Sequence, residues 1–488
     1  MASAKPPNVV MIAIDDLNDF VGVYGGHKQA ITPNIDRLAA GGMVFRNASC
    51  PGPVCGTSRS ALLSGFMPST TGIYGNSQNM LDSPIVQRHA TLPEYFSRNG
   101  YVTLSSGKIF HKHATDSGQD HGHWAFDVWQ NTSGNGKPDP KQLFDRNRGI
   151  INGKRIANPK HADGGGSPFA FGPTIAGIED QKDYRTAQWF AKKLSQDHAK
   201  PFFMAVGFSK PHLAWHVPQE FFDLYERDQI EVPAYRLDDF DDIAGGKRDG
   251  QFRATPDFLW CQEYGVMKDA VRAYLASVSF ADACAGVVLD ALAKSQYADN
   301  TIVILWGDHG WHLGEKLRFR KVTLWREATQ CPLIVRMPSM TQSQSCDRNV
   351  NLIDLYPTLI DLCGLPDKGP DALPLDGRSF APLLRDPSQS WHPTVTTKRP
   401  GEHSVMADDW HYIHRDAGPN ELYRVNDDPM EWTNLLHDDT SQYESVINRL
   451  RSSLPKQTAD PIRITKKSKR KKSLDHSIRP HRLAIDLQ

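Results

Sequence analysis

A cysteine followed four residues later by an arginine, Cys55 and Arg59, has the residue types and spacing to do chemistry. A Pro-rich loop precedes the pair, and residues 60–64 predict the first turns of a helix closed by Gly65. The sulfur would lie near a helix N-terminus, where free N–H groups and the helix dipole favour an anion. Arg59 would face the same point and can bind an anion through two hydrogen bonds. Taken alone, the stretch indicates either an activated thiolate or a buried structural cysteine.

Two adjacent carboxylates, Asp15 and Asp16, directly follow the apolar run at 8–14. A continuous apolar run predicts a strand buried on both faces of a parallel sheet. Open α/β sheets bind their ligands beyond the C-terminal ends of such strands. Because like charges this close repel each other, the pair indicates a divalent cation. A helix cap or a turn is the alternative interpretation.

Three further predicted strand ends carry ionisable side chains. They are Lys108 and His111 after the strand at 101–104, His212 after 201–208, and Asp308 with His309 after 301–306. Carboxylates with one imidazole suit Ca²⁺ or Mg²⁺. The cationic side chains, with more at 315–321, would form a cage suited to a tetrahedral oxyanion ester, either sulfate or phosphate. For any single histidine, a structural role in the core is the alternative.

The elements that must position these residues alternate between strand and helix. Helices are predicted at 32–42, 91–100, 183–194, 267–294 and 353–362, between the strands already given. This alternation predicts an α/β fold with a large mixed, mostly parallel sheet sandwiched by helices. From 114 to about 180 the periodicity fails, and we expect an irregular insertion that forms the rim of a substrate cleft.

The chain changes character after about residue 385. Segments 403–407, 410–415 and 421–425 predict an antiparallel meander, and 442–454 predicts an amphipathic helix. We therefore divide the chain into a catalytic domain at 8–385, a small C-terminal α+β subdomain at 386–455 and a basic tail at 456–488. The stretch 463–482 carries nine Lys or Arg in twenty residues and is predicted to be disordered. It either binds polyanions or keeps the protein soluble.

Composition excludes several classes of protein. The 488 residues are 39% hydrophobic with a formal net charge of zero, which gives no bias toward nucleic acid or membrane. The clearest apolar run, at 9–14, is far shorter than the roughly 20 residues of a membrane helix. Seven scattered cysteines argue against a disulfide framework and a structural zinc site. The N-terminus has no apolar leader segment, so we expect a cytoplasmic protein, or a periplasmic or secreted one whose leader has been removed.

Together these motifs resemble the type I sulfatases of the alkaline phosphatase superfamily, most closely the iduronate 2-sulfatase branch. The resemblance covers about residues 8–440, in order, and Lys321 lies at the family's usual distance after Asp308 and His309. The segments that carry it are Ile14-Asp-Asp-Leu17, Cys55-Gly-Thr-Ser-Arg59, Gly107-Lys-Ile-Phe-His111, Lys210-Pro-His212, Gly307-Asp-His-Gly-Trp-His-Leu-Gly-Glu315, Glu421-Leu-Tyr423 and Glu431-Trp-Thr-Asn434.

The resemblance implies an alkaline phosphatase-like fold and a particular nucleophile. In this family a formylglycine-generating enzyme oxidises the motif cysteine to formylglycine, an aldehyde that hydrates to a geminal diol. Carried over, Cys55 becomes that residue. One hydroxyl attacks sulfur and releases the alcohol, and the second hydroxyl then loses its proton and expels sulfate.

The resemblance also implies a role for each matching residue. The ligands of Ca²⁺, or of Mg²⁺, would be Asp15, Asp16, Asp308, His309 and the modified Cys55. Arg59 would orient the motif, and Lys108 with Lys321 would bind the sulfate oxygens. His212, with Lys321, would protonate the leaving oxygen, and His111 would assist turnover of the hemiacetal. Trp311, His312, Arg318 and Arg320 would contact the sulfated sugar, a glycosaminoglycan unit or a marine polysaccharide.

One residue departs from the family pattern. Thr57 occupies the position of the proline in Cys-x-Pro-x-Arg. Proline favours the extended chain that the modifying enzyme reads, so we expect Thr57 to lower the conversion of Cys55. Two other functions stay open at this point. They are a phosphate mono- or diester hydrolase on the same scaffold and, if Cys55 is not converted, a catalytically weak protein that binds sulfated glycans through the cationic cage and the basic tail.

Overall fold

The computed structural model describes residues 5–111, 123–134, 136–157, 159–160, 168–243, 252–366, 373–438 and 440–463. In chain order, the strands are β1 (Asn8–Ile14), β2 (Met43–Ser49), β3 (Val102–Gly107), β4 (Val128–Gln130), β5 (Phe144–Asp145), β6 (Ile150–Ile151), β7 (Lys154–Arg155), β8 (Ala170–Phe171), β9 (Phe202–Phe208), β10 (Thr301–Gly307), β11 (His312–Leu313), β12 (Phe319–Arg320), β13 (Leu333–Arg336), β14 (Gln344–Asn351), β15 (Thr394–Arg399), β16 (Glu402–Ala407), β17 (Trp410–Arg415) and β18 (Glu421–Arg424). The α-helices are α1 (Pro33–Ala40), α2 (Cys55–Ser64), α3 (Pro68–Thr71), α4 (Pro84–Arg88), α5 (Leu92–Arg98), α6 (Lys182–Leu194), α7 (Gln219–Phe222), α8 (Pro256–Glu263), α9 (Met267–Ala293), α10 (Arg326–Thr329), α11 (Leu355–Leu362) and α12 (Glu444–Arg451).

The largest sheet has eight strands in the order β14-β2-β13-β10-β1-β9-β3-β4. The central strand β1 pairs in parallel with β9 and β10, and all three strands are buried along their whole length. β13 runs antiparallel to both of its neighbours, whereas the other pairings are parallel. The predicted mixed, mostly parallel sheet is therefore confirmed.

Helices cover both faces of this sheet, as the alternation predicts. α1, α6 and α9 share the apolar core on one face, and α2, α5 and α11 share the core on the other. α9 is long and apolar enough to cross a membrane, but most of its apolar stretch is buried inside the protein. This burial is the pattern of a core helix.

A second sheet, antiparallel in the order β15-β16-β17-β18, lies in the C-terminal part and packs against α12. β16, β17 and β18 match the predicted meander to within one residue. β15 is not predicted by the sequence because its residues, TVTTKR, lack an apolar alternation. Thr397 of β15 donates its N–H to Pro51 O at 2.9 Å, so this sheet holds the loop that leads to Cys55. The domain boundaries at 385 and 455 stay a prediction.

The prediction of an irregular insertion between 114 and 180 is wrong for the part that the structure describes. β5 to β8 form a small four-stranded sheet there, and β4 extends the main sheet. Gly172, after β8, donates its N–H to Trp215 O at 3.2 Å, so the insertion is tied to the segment that follows His212. Strands of two residues are too short to give a periodic sequence signal. The role of this insertion as a cleft rim stays a prediction.

The predicted basic tail is corrected at its start. Residues 456–463 pack on the main domain, where Ala459 donates its N–H to Ser69 O at 2.7 Å and Ile462 donates its N–H to Gly72 O at 2.9 Å. Residues 464–488, with most of the basic stretch, lie outside the described residues, and their predicted disorder stays a prediction.

Two glycines set the position of Lys108 at the edge of the sheet. Gly107 and Gly207 end the paired strands β3 and β9. A Cβ on Gly207 would lie 2.3 Å from Lys108 O, and Gly107 has a φ of +77° with its Cβ position 1.9 Å from Gly207 O. The two backbones therefore meet more closely than side chains allow, which lets the chain turn across the strand end at Lys108.

We predict that Gly207→Ala destabilises the protein and displaces Lys108. The added methyl must push backbone atoms apart, and overpacking of this kind costs about 1–3 kcal/mol. Urea unfolding should show a lower midpoint. Gly177→Ala is the matched control, because its Cβ would meet nothing within 4 Å. Equal midpoints for the two variants would contradict this account of the strand ends.

Candidate active site

Four strand ends meet at one edge of the main sheet and bring the predicted residues together. Asp15 and Asp16 follow β1, Lys108 follows β3, His212 follows β9, and Asp308 and His309 follow β10. The backbone joins these ends, since Asp15 donates its N–H to Phe208 O at 3.1 Å. The prediction that separate strand ends form one site therefore agrees with the observed positions, while the roles of these residues stay predictions.

The carboxylates are buried and share one small volume. Asp16 donates its backbone N–H to Asp308 Oδ1 at 3.0 Å, and its φ of 61° turns the chain back toward β10. Burial would raise the pKa of Asp15, but the positive charges of Lys108 and Arg59 outweigh it and hold that pKa well below its usual range. For Asp16, burial prevails over the attraction of Lys321 and raises the pKa.

Cys55 is the first residue of α2, so its sulfur lies at a helix N-terminus as the sequence predicts. Its Sγ is 3.2 Å from His309 Nε2 and 3.4 Å from Lys321 Nζ. The side chain is completely buried, and burial would raise the thiol pKa. The nearby charges of Lys108 and Lys321 prevail, and the net pKa is lowered.

Arg59 joins three elements of the site. Its Nε donates to Asp308 Oδ2 at 2.7 Å, and Nη1 donates to the carbonyls of Lys108 at 2.6 Å and Ile109 at 2.9 Å. Nη2 is 3.4 Å from Asp15 Oδ1, and the guanidinium carbon lies 5.3 Å from the centroid of the Trp306 ring. The nitrogens of this buried guanidinium have polar partners and its face lies over an aromatic ring. It therefore holds α2 against the ends of β1, β3 and β10.

Two ammonium groups point at the carboxylate cluster from opposite segments. Lys108 Nζ pairs with Asp15 Oδ2, and Lys321 Nζ pairs with Asp16 Oδ1. Burial alone would lower the pKa of Lys321, but Asp16 and Cys55 raise it, so both ammonium groups are charged at neutral pH. Side chains of this kind can bind the oxygens of an anionic ester.

The two predicted catalytic histidines lie next to these ammonium groups and are neutral. Burial, with the charge of Lys108, lowers the pKa of His111 to about 3, and burial lowers that of His212 to about 4. His212 Nδ1 lies 2.6 Å from Leu213 O, which leaves Nε2 facing Asp16 Oδ2 at 3.9 Å. His309 differs, because Asp308 and Cys55 outweigh burial and raise its pKa to about 9.

The cluster fits the predicted divalent cation. Asp15 and Cys55 combine either with Asp308 and His309 or with Asp16 and His212, and the ligand atoms of each group lie within 4.8 Å of one another. Asp16 Oδ2 is buried and has no hydrogen-bond partner in the part of the chain that the structure describes. Carboxylate oxygens with one imidazole are ligands that Ca²⁺ and Mg²⁺ accept.

The predicted sugar contacts are corrected in two cases. Trp311 and His312 are 1% and 0% exposed, so neither side chain reaches a substrate. The Trp311 ring lies 4.8 Å from Lys321 Nζ, and His312 Nε2 lies 2.8 Å from Thr323 Oγ1. The sequence pattern places these residues just past Asp308 but does not reveal that both side chains, one at the start of β11 and one directly before it, are buried.

Arg318 and Arg320, the two arginines predicted to contact sugar, lie in different surroundings. Arg320 forms an ion pair with Asp257 of α8. The guanidinium carbon of Arg318 lies 4.9 Å from the Trp325 ring centroid, beside a cavity described below. Contact with sugar stays a prediction for both.

The segment that carries Lys321 has unusual backbone geometry. Lys316, Leu317, Arg320 and Val322 all have positive φ values, between 51° and 79°. Non-glycine residues rarely adopt this conformation, and the surrounding structure must hold it. Lys316 Nζ supplies part of that hold, because it reaches Asp239 at 2.9 Å and also Glu431 O of the C-terminal part.

Sequence reasoning missed three residues that support the site. Tyr274 of α9 donates its hydroxyl to Asp16 O at 2.8 Å, Asn76 Oδ1 accepts from the Gly56 N–H at 2.7 Å, and Lys316 holds the segment of Lys321. The lone tyrosine among small residues in α9 is a signal for the first. The other two lie in loops, where no periodicity reveals a partner.

The fold and the cluster define an alkaline phosphatase-like α/β protein with a buried cysteine among carboxylates and ammonium groups that could hold a metal ion. Residues 7–365 match the family model Sulfatase, and residues 307–460 match the model N-sulphoglucosamine sulphohydrolase, C-terminal. This chain belongs to the sulfatase family.

Two relatives and two solved structures show how far the similarity extends. A sulfatase of Formosa agariphila is 35% identical over 460 residues, which cover 93% of this chain and 87% of that protein. Iduronate 2-sulfatase of Homo sapiens is 31% identical over 410 residues, which cover 73% of this chain and 69% of that protein. A solved structure of a protein in complex with its substrate, D-glucosamine-2-N,6-O-disulfate, aligns with this chain with a TM-score of 0.68 at 20% identity. The alignment covers 92% of this chain and 96% of that one. The structure of the phosphonate monoester hydrolase of Agrobacterium radiobacter aligns with a TM-score of 0.69 at 19% identity. This alignment covers 91% of this chain and 95% of that one.

We predict that Ca²⁺ stabilises the metal-depleted protein through this cluster. A ligand that binds only the folded state adds about 2.7 kcal/mol at a hundred times its dissociation constant, which raises the thermal unfolding midpoint. Asp308→Asn should lose most of this shift because it removes one carboxylate of the cluster. Glu220→Gln, at an exposed position of α7, should keep it. Equal shifts in wild type and Asp308→Asn would contradict binding at this site.

Proposed function

We propose that this protein hydrolyses sulfate esters of a carbohydrate through a formylglycine made from Cys55. A formylglycine-generating enzyme would make this residue, and a divalent cation, Ca²⁺ before Mg²⁺, would complete the site. The observation that carries the proposal is the surroundings of Cys55 Sγ, with His309 at 3.2 Å and Lys321 at 3.4 Å beside buried carboxylates. A side-chain oxygen at this point would face a sulfate group held by Lys108 and Lys321.

The chain's own residues would carry each step. One hydroxyl of the hydrated formylglycine gives its proton to a carboxylate of the cluster and forms a bond to sulfur while the bond from sulfur to the alcohol oxygen breaks, and that oxygen takes up a proton from His212. The second hydroxyl then loses its proton, the bond between carbon and the sulfated oxygen breaks, and sulfate leaves as the aldehyde re-forms. When bound, the divalent cation lowers the charge density on oxygens in the cluster.

We propose His212 as the proton donor to the leaving alcohol oxygen. Before substrate binds, its imidazole is neutral. Its pKa of about 4 is set by burial, against the attraction of Asp16 and with the opposing charge of Lys321. An anionic ester bound beside it adds negative charge, which raises an imidazole pKa toward the range in which it donates a proton. Arg59 would orient α2, since it is fully committed to Asp308 and two carbonyls.

Thr57 bears on maturation rather than on the folded site. It is the third residue of α2, and its Cγ2 fills the space beside Gly52. The first turn of a helix accommodates proline as well, so the fold does not require either residue. The lower conversion expected with Thr57 therefore concerns the unfolded chain that the modifying enzyme reads.

A sulfated carbohydrate is the proposed substrate class. The relatives include iduronate 2-sulfatase and a Δ4,5-hexuronate-2-O-sulfatase of Bacteroides thetaiotaomicron, and both names refer to uronic acid sulfates. The relatives also include an arylsulfatase and a choline-sulfatase, so the uronic acid specificity is proposed for this chain on the strength of its cationic surroundings, developed below.

We predict a preference for sulfate over phosphate in esters of one alcohol. Protein co-expressed with a formylglycine-generating enzyme should hydrolyse 4-nitrophenyl sulfate with a kcat/KM at least about 100-fold above that for 4-nitrophenyl phosphate. Cys55→Ala should abolish both activities, whereas Cys363→Ala, a buried cysteine of another helix end, should not.

The outcomes separate the alternatives. A higher kcat/KM for the phosphate ester would favour a phosphate hydrolase on the same scaffold, a fold shared with the phosphonate monoester hydrolase. A protein with converted Cys55 that hydrolyses neither ester, nor a panel of sulfated sugars, would favour a glycan-binding protein.

A further inference from the structure

A cavity of about 320 Å³ lies beside the segment that carries Lys321. Val322 and Thr323 form one side of it, directly after Lys321, and the C-terminal sheet supplies Lys398 and Arg415 on another. This wall of the cavity therefore begins at the residue directly after Lys321. We call this space the basic cavity.

The backbone links the basic cavity to the loop before the nucleophile. Val322 donates its N–H to Pro53 O at 3.0 Å, two residues before Cys55. Val322 is apolar yet 45% exposed, so the chain between Lys321 and the cavity lies at the surface. A substrate bound at Lys321 would therefore have open surface on the side of the basic cavity.

The lining of the basic cavity is strongly cationic. Arg253, Arg318, Lys398 and Arg415 line it, and none of the described residues that line it is acidic. Glu402 pairs with Lys398 at 3.0 Å, and Glu421 pairs with Arg415. Four cations therefore face the cavity while two carboxylates balance them from behind.

Burial removes part of the water that would solvate two of these cations. Burial lowers the pKa of Arg318 to about 10, against the attraction of Glu421 and Asp239. Burial also lowers the pKa of Lys398, against the attraction of Glu402. An anion in the cavity would restore the interactions that these groups lose with water.

Aromatic rings fix the two guanidinium groups in place. The guanidinium carbon of Arg318 lies 4.9 Å from the Trp325 ring centroid, and that of Arg415 lies 5.1 Å from the Phe252 ring centroid. A stacked guanidinium presents its edge in a fixed direction, which suits the planar carboxylate or the oxygens of a sulfate. The cavity therefore has its cationic groups ordered before any ligand binds.

We propose that the basic cavity binds a second anionic group of the substrate, a carboxylate or sulfate on the sugar next to the scissile ester. This inference rests on the proposed function, which supplies a sulfated carbohydrate at Cys55. It names the substrate class more narrowly, as an oligosaccharide with an anionic group on adjacent units.

The test compares Lys398→Gln with Arg399→Gln. Both residues belong to β15 and form ion pairs with Glu402. Lys398 lines the basic cavity, whereas Arg399 is not among the described residues that line it. Against a heparin-derived oligosaccharide, Lys398→Gln should raise KM about ten-fold relative to the KM for 4-nitrophenyl sulfate, as expected for one lost charge-assisted contact. Arg399→Gln should leave this ratio within two-fold. Lys398→Arg should restore it, because the charge is kept.

Binding without turnover separates this inference from the proposed function. In the Cys55→Ser background, calorimetry should show weaker binding of the oligosaccharide with Lys398→Gln, and no such loss with Arg399→Gln. If the enzyme hydrolyses no sulfate ester but this difference in binding is found, the cavity proposal stands and the proposed function fails. If sulfate esters are hydrolysed, and Lys398→Gln matches wild type in its KM ratio and in its affinity for the oligosaccharide, the cavity proposal is overturned. Equal rises in KM for the oligosaccharide and the small ester would overturn it as well.

Discussion

The buried ion pair between Arg59 and Asp308 is the interaction on which the site depends. It connects the helix that begins at Cys55 to the strand that ends at Asp308, and the same guanidinium binds the carbonyls of Lys108 and Ile109. Removing one partner of a buried pair costs about 3–5 kcal/mol because the other charge stays buried. The sheet edge, Cys55 and the ammonium-bearing Lys108 are therefore fixed by one side chain.

The other half of the site depends on the C-terminal part of the chain. Lys321 lies in a segment with several positive φ values, and Lys316 ties this segment to Asp239 and to Glu431 O. Glu431 also accepts the Arg326 N–H at 3.0 Å and pairs with His411 of β17. Strain near a functional group persists only when neighbouring structure holds it. The antiparallel sheet thus acts as the support of Lys321, and it contributes a wall of the basic cavity.

The sequence predicted the central architecture well because its signals are local. The buried strands β1, β9 and β10 are continuous apolar runs, and each is followed at once by its charged residues. The fold class and the convergence of the strand ends follow from such runs, whereas the family follows from the resemblance of the motifs at those ends. The end of α2 follows from the Gly65 stop, which has a left-handed φ of 81°, whereas the helix begins at Cys55, five residues before the predicted first turns at 60–64.

What the sequence could not predict depends on distant contacts. β14 is polar along much of its length and is held by pairing with β2, and β15 has no apolar alternation. Trp311 and His312 were predicted to contact sugar because they follow Asp308 closely, but the burial of Trp311 and of the two-residue strand that follows it has no local signal. Tyr274 and Lys316 act through partners more than seventy residues away in the chain.

The central claim is that Cys55 is the precursor of the nucleophile, and the mass of its peptide tests this most directly. The tryptic peptide 47–59 contains both Cys50 and Cys55, so Cys50 serves as an internal reference for alkylation. Protein co-expressed with a formylglycine-generating enzyme should yield this peptide with a loss of about 18 Da at Cys55 and one alkylated cysteine. Two alkylated cysteines in a preparation that hydrolyses sulfate esters would contradict the claim.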